Sequence, residues 1–256
     1  MEGLLRRAVE NQEFVLHFQP QYRSDGSLLG CEALVRWDQP RLGLVAPGKF
    51  IPIAEENGLI LPIGDWVLRE ACRRMARWRA QGHEDLLLAV NVSSLQFEQE
   101  TFVDFVSEVL SSTGLPPTCL ELELTESLVM QNPAHHARRL EALRALGVRM
   151  AVDDFGTGYS SLSYLQRLPL DTLKIDQSFI RDIHPDDAAT PSSGPIVQTI
   201  VALARSLGLS LMAEGVETVD QQAFLVNLGC EGFQGYLLGR PMSAEAFEAF
   251  LESVRA

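Results

Sequence analysis

Short apolar runs of strand length alternate with longer segments of helical spacing through a chain of 256 residues, and predict an α/β fold closed as a single (β/α)8 barrel of the TIM type. The runs are mostly rich in Val, Ile, Leu and Phe, as parallel strands covered on both faces must be. The length matches the ~250 residues that such a barrel uses. No linker, composition shift or long-period repeat divides the chain, so residues 1–256 are expected to form one domain, with 1–12 as an N-terminal helix or linker remnant.

In chain order the strand-sized runs are Phe14–Phe18, Leu86–Val92, Cys119–Leu124, Val148–Val152, Thr172–Ile175 and Leu209–Ala213. The helical segments between and after them are Pro62–Ala80, Thr101–Ser112, Pro133–Leu146, Pro195–Leu207, Val219–Leu228 and Ala244–Val254. Pro62, Pro133 and Pro195 open three of these, where a missing N–H costs nothing. Gly147, Gly208 and Gly229 follow the last turn of three and suit a left-handed cap. The stretch Asp182–Pro195, rich in Pro, Asp and Ser, is expected to be a surface loop.

Composition narrows the function. Lys and Arg total 21 and Asp and Glu 34, a formal net charge of −13. Such a surface repels nucleic-acid polymers and anionic membranes, since both need a basic patch for long-range attraction. A small anionic ligand fits only a site that carries its own cations. Met1–Gln12 has no apolar stretch long enough for a signal peptide, and no run approaches the ~18–20 residues of a membrane span. Cys31, Cys72, Cys119 and Cys230 form no CxxC pair and are expected to be free, buried thiols. A cytoplasmic setting follows, which also suits the cytoplasmic module of a larger, even membrane-anchored, protein.

The polar residues at the ends of the apolar runs carry the chemistry. LLLAVN ends at Asn91, LELEL contains Glu123, RMAVDD ends at Asp153 and Asp154, TLKID carries Lys174, and AEGVE supplies Glu214 and Glu217; upstream, GCEALVRW sets Glu32 among apolar neighbours. A lone acid at a strand end is most often a helix cap or a solvated loop residue. Recurrence at equivalent points of one strand rhythm is different, because a parallel barrel gathers the carboxyl ends of its strands on one face. Carboxylates converging there repel one another unless cations compensate them. The donors are oxygens and none of the five histidines belongs to the set, so Mg²⁺ or Mn²⁺ fits better than zinc. His135 and His136 are expected to be a solvated pair, and Trp37, Trp66 and Trp78 to be packing residues. Gly156 and Gly158 are read as loop pivots rather than a phosphate cradle. On geometry alone, metal-assisted proton abstraction or glycoside hydrolysis also suits acids on barrel strands.

An ordered set of motifs decides among these: FQPQY at Phe18–Tyr22, EALVRW at Glu32–Trp37, NVSSLQF at Asn91–Phe97, ELTES at Glu123–Ser127, DDFGTGYSSL at Asp153–Leu162, LKID at Leu173–Asp176, AEGVET at Ala213–Thr218 and GFQGYLLGRP at Gly232–Pro241. Together they resemble the EAL-domain family of cyclic di-GMP phosphodiesterases over nearly the whole chain. The tripeptide Glu32-Ala33-Leu34 names the family, but the specificity lies in the order and spacing of the full set.

The resemblance implies a TIM-type barrel whose first strand runs antiparallel to the others. It implies two Mg²⁺ or Mn²⁺ ions, with Ca²⁺ inhibitory. Glu32, Asn91, Glu123 and Asp153 would hold one ion, Asp153 would bridge to a second that Asp154 also binds, and Glu217 would assist the second. Lys174 would hold the attacking water, and Glu214 would be the general base or its hydrogen-bonding partner. Glu126 would anchor the DFGTGYSS loop. Gln19, Leu34 and Arg36 would contact substrate, with Gln234 near the metals and Pro241 near a guanine. The implied reaction opens cyclic di-GMP to linear pGpG, lowering the level of a bacterial second messenger, and the implied assembly is a homodimer through Asp154–Leu165. A catalytically silent cyclic di-GMP receptor is the alternative, and it would need damaged metal ligands, which this chain does not have. Two departures stand out: Gln21 replaces the family's usual aliphatic residue, with an effect expected at the rim, and the loop including Thr190–Gly194 is several residues longer than usual.

Overall fold

The computed structural model describes residues 2–131, 133–156, 162–183 and 193–255. Ten strands form one sheet: β1 Phe14–Arg23, β2 Leu28–Gln39, β3 Gly43–Val45, β4 Leu87–Asn91, β5 Leu120–Thr125, β6 Arg149–Phe155, β7 Thr172–Ile175, β8 Ser210–Ala213, β9 Gly232–Phe233 and β10 Met242–Ser243. Eight of them close a barrel in the order β1-β2-β4-β5-β6-β7-β8-β9 and back to β1. The pairings from β2 through β9 are parallel, whereas β1 is antiparallel to both β2 and β9. Strands β3 and β10 add antiparallel flaps on β2 and β1.

The strand pattern explains what lies inside. On β5, Leu120, Leu122 and Leu124 alternate with Glu121, Glu123 and Thr125; one set must face the helical layer and the other the barrel axis. The same period of two turns Asn91, Asp153, Thr172 and Lys174 inward, with Leu88, Val90, Val152, Leu173 and Ile175 in the core outside. That outer core is continuous and includes Trp37 and Trp78 at full burial; Trp66 packs on it partly buried, so the three indoles are packing residues. All four cysteines are free and buried.

The six helical segments read from the sequence are all present. Ile60–Ala80 starts two residues before Pro62, and the helices ending at Leu207 and Leu228 are capped by Gly208 and Gly229 with left-handed φ of 70° and 86°. Thr218 and Gln221 form a reciprocal capping box at the start of Val219–Leu228, satisfying two orphan N–H groups. An N-terminal helix, Glu2–Glu10, buries Leu5 and Ala8. Helices Pro47–Glu56, Glu126–Gln131 and Gln177–Arg181 are not apparent from hydrophobic spacing. Most of the expected loop Asp182–Pro195, including Thr190, and the stretch containing Gly158 lie outside the described residues.

Two corrections follow. Gln21 is fully buried inside the barrel rather than on its rim, because its β1 register turns it inward beside Gln234. His136 is not solvated: it is 1% exposed and stacks edge-on to Phe97 with ring centroids 5.3 Å apart, while His135 is exposed.

Candidate active site

At the carboxyl-end mouth the inward residues of β1, β2 and β4 to β9 meet as two linked groups. In the first, the Lys174 ammonium lies 2.5 Å from Glu123 Oε1, 2.5 Å from Glu214 Oε1 and 3.7 Å from Asp153 Oδ1. In the second, Glu32 accepts from Asn91 Nδ2 and from Gln234 Nε2, each at 2.5 Å. Gln234 Nε2 also donates to Gln19 Oε1, and Gln21 donates to Gln234 Oε1 at 2.8 Å, so one glutamine at the end of the neighbouring strand β9 links β1 to β2. Strand register makes these contacts possible: Gln19 stands opposite Glu32, and Asn91 opposite Glu123.

The β6–β7 ladder slips between Val152 and Phe155, where Asp153 and Asp154 bulge toward the mouth. Asp154 has φ of +55°, a conformation that Asp adopts more readily than most residues, and its N–H donates to Asp153 Oδ1 at 2.9 Å. Below the turn that follows, Glu126 Oε2 accepts from Gly156 N at 2.8 Å. Gly156 itself has φ of +100° and would press a Cβ within 2.8 Å of Phe179, so glycine is required there.

Electrostatics define what the mouth needs. Burial alone would lower the Lys174 pKa, but Asp153, Glu123, Glu214 and Glu32 around it hold the ammonium well above its ordinary value. Burial raises Glu123 well above the carboxylate range, against Lys174, with help from Glu32, Asp153 and Glu214. Glu214 is pushed up to about 8 by burial, which with Asp153 and Glu32 outweighs Lys174. Asp154 reaches about 6 through burial, then Asp153 and Asp176. Four acids thus act on a single buried lysine.

This fixes the sign of a pH effect. Glu214 and Asp154 hold their protons more tightly folded than unfolded, so their contribution to stability is complete below about pH 4 and is lost as pH rises through 6 and then 8. Metal-free protein should therefore melt several degrees lower at pH 8.5 than at pH 5, on a scale of about 2–4 °C per kcal/mol. Glu214→Gln should flatten the upper part of that fall, which a pair of thermal-melt series would show; parallel slopes in both proteins would contradict the assignment.

The donors are carboxylate and amide oxygens, and Glu123 Oε2 is buried without a hydrogen-bond partner among the described residues. An excess of acid and an orphaned buried oxygen both fit hard divalent cations. The acids are not gathered into a ready metal cluster, however: among the described residues no three His, Cys, Asp or Glu side chains stand close enough to form one. The reason is visible in the contacts, since Lys174 occupies Glu123 and Glu214 while Asn91 and Gln234 occupy Glu32.

Beside this centre opens a cleft of about 350 Å³ whose walls include Gln19, Glu32, Leu34, Arg36, Glu214, Glu217, Gln234 and Pro241. Asn91, Glu123, Asp153, Asp154 and Lys174 do not line it. Gln177, Arg181 and Tyr236, which the sequence does not single out, do. Gln177 and Arg181 are on the short helix directly after LKID, so their proximity to the Lys174 strand is the available signal. Tyr236 is half-exposed and stacks on the Arg240 guanidinium at 4.1 Å. Gly235 lets this wall close: a Cβ there would lie 2.1 Å from the Val216 carbonyl oxygen. Gly235→Ala should cost roughly 1–3 kcal/mol as an overpacked site. An unchanged unfolding midpoint would show instead that the wall yields.

The family model described as EAL domain matches residues 3–241. The bifunctional diguanylate cyclase/cyclic di-GMP phosphodiesterase MucR of Pseudomonas aeruginosa is 51% identical over 94% of this chain and 35% of its own length. The cyclic di-GMP phosphodiesterase PdeR of Escherichia coli is 43% identical over 95% of this chain and 36% of its own. The chain therefore spans about a third of the length of these curated relatives. Among solved structures, the PaMucR phosphodiesterase in a c-di-GMP complex superposes with a TM-score of 0.90 at 50% identity, covering 95% of this chain and 97% of that one. The Pseudomonas aeruginosa FimX EAL domain bound to c-di-GMP gives 0.83 at 25% identity, covering 94% and 95%.

Proposed function

The chain belongs to the EAL domain family, and on that premise we propose that it hydrolyses cyclic di-GMP to linear pGpG. The observation that carries the reading is the buried Lys174 ringed by Glu123, Asp153 and Glu214 at the mouth, next to a cleft with Arg36 in its wall. An anion enters a chain of net charge −13 only where the site supplies positive charge.

Glu32, Asn91, Glu123 and Asp153 would hold one Mg²⁺ or Mn²⁺ ion, and Asp153 and Asp154, assisted by Glu217, a second. Such a pair, when bound, would supply Lewis-acid polarisation of the phosphodiester and a more acidic water. The chain's own groups supply the rest. Arg36 meets a phosphate oxygen, and Gln19, Leu34 and Pro241 orient the nucleotide. Lys174 orients the attacking water and stabilises the negative charge that builds on the phosphoryl group. Glu214 takes a proton from that water as its oxygen bonds to phosphorus and the P–O3′ bond breaks, the departing 3′ oxygen taking up a proton from solvent.

Chromatography of cyclic di-GMP incubated with the protein tests this, with Mg²⁺, Mn²⁺ and Ca²⁺ in parallel. pGpG should form with the first two, while Ca²⁺ should permit binding and inhibit cleavage. Nucleotide binding with no pGpG at any metal concentration would replace the reading with a receptor. The same reading includes a homodimer through 154–165, of which 157–161 lie outside the described residues; sedimentation of the protein with and without nucleotide measures it. No helix among the described residues is long and apolar enough to cross a membrane.

A further inference from the structure

One layer below the mouth, on the same inward faces, Glu121 and Thr172 repeat the geometry of Glu123 and Lys174. Each pair joins β5 to β7 across the barrel interior, and each lies two residues from the other along both strands. Thr172 Oγ1 donates to Glu121 Oε2 at 2.6 Å; Glu121 is 2% exposed and Thr172 5%. The Arg149 guanidinium, directly opposite Glu121 in the β5–β6 register, approaches the same oxygen at 3.7 Å. Strands β5 and β7 are not neighbours, because β6 runs between them, so no ladder bond sets their spacing. The β6–β7 ladder is itself interrupted at the level of Lys174, where Asp153 and Asp154 bulge out. Leu173 and Ile175 keep their β6 partners, but Lys174 itself has none on that side, so the ladder holds its distance from the Glu123 strand only through its neighbours.

We propose that Glu121 and Thr172 are positioning residues for the reaction: their hydrogen bond braces β5 against β7 and so sets the separation of the Glu123 carboxylate and the Lys174 ammonium above it. The inference rests on the proposed hydrolysis, in which both of those groups act. Reacting geometry is sensitive at this scale, since a displacement of about 1 Å can cost on the order of a hundredfold in rate.

Thr172→Val keeps the shape and the β-branch but loses the hydroxyl. At saturating Mg²⁺ it should lower kcat by roughly ten- to a hundredfold, leave KM for cyclic di-GMP within about twofold because no cleft contact is touched, and shift the unfolding midpoint by no more than a few degrees. Thr172→Ser restores the donor and should recover most of kcat. Glu121→Gln retains an acceptor for Thr172 and guards against a misfolded valine variant; it should keep kcat within a few-fold of the parent. The brace is overturned by wild-type kcat in Thr172→Val, by Thr172→Ser as impaired as Thr172→Val, or by equal losses in Glu121→Gln and Thr172→Val. It is equally overturned if the rate falls only in step with the folded fraction. If the parent protein yields no pGpG, the proposed hydrolysis fails first, and that control separates the two outcomes.

Discussion

Lys174→Ala should lower turnover of cyclic di-GMP by roughly 10²–10³-fold, the scale seen when one preorganised donor to a developing negative charge is removed. The side chain is 1% exposed and makes two ion pairs at 2.5 Å, so water cannot take over its charge at that point. Its removal should also leave Glu123 and Glu214 facing each other across a vacated space. Breaking a buried pair in this way costs about 3–5 kcal/mol, less where the acids take up protons instead. Lys174→Met fills the space without charge and separates the two effects: it should be nearly as inactive as the alanine variant while regaining part of the stability. Mg²⁺ should raise the melting point of either variant by neutralising the same acids. Near-full hydrolysis by Lys174→Ala, measured as pGpG released, would remove lysine from the mechanism.

The second large effect is expected from Asp153→Asn, which preserves shape. An asparagine oxygen can still accept the Asp154 N–H now held at 2.9 Å, so the bulge should survive and only the charge is lost. Turnover should fall at least about a hundredfold, comparable to the upper end of losses from disturbing a metal's supporting residues. Mn²⁺ should bind more weakly in a calorimetric titration. The metal-free protein, in contrast, should melt no lower than the parent, because one of the acids crowding Glu123, Asp154 and Glu214 has been neutralised. A variant that hydrolyses normally would remove Asp153 from the residues that would hold metal, and a metal-free variant that melts much lower would show that Asp153 is structural.

Much of this centre is legible in the amino-acid sequence. LELEL announces itself because a strand buried on both faces has no solvent in which to place Glu121 and Glu123; alternate acids there must line an interior. RMAVDD and TLKID say the same of Asp153 and Lys174. What stays hidden depends on partners remote in the chain. β9 and β10 have two residues each, too few to show a period, yet β9 delivers Gln234, the amide that joins Glu32 to Gln19. Gln21 reads as a rim substitution, because nothing local shows that a glutamine 213 positions away will receive its amide. Helix Pro47–Glu56 is concealed by Pro52 within it. The disposition of Lys174 among the acids, which keeps them from forming a ready metal cluster, depends on side-chain rotamers that no spacing encodes.

The reversed first strand has a practical consequence. In a barrel of eight parallel strands the amino end of the first strand opens on the face away from the chemistry. Here β1 descends from the mouth, with Phe14 opposite Trp37 and Gln19 already level with Glu32, so the segment leading into the barrel arrives on the reacting side. A label placed at the entry to β1, beside Phe14, would therefore report on the reacting end of the barrel, which a label at the entry to a parallel first strand could not.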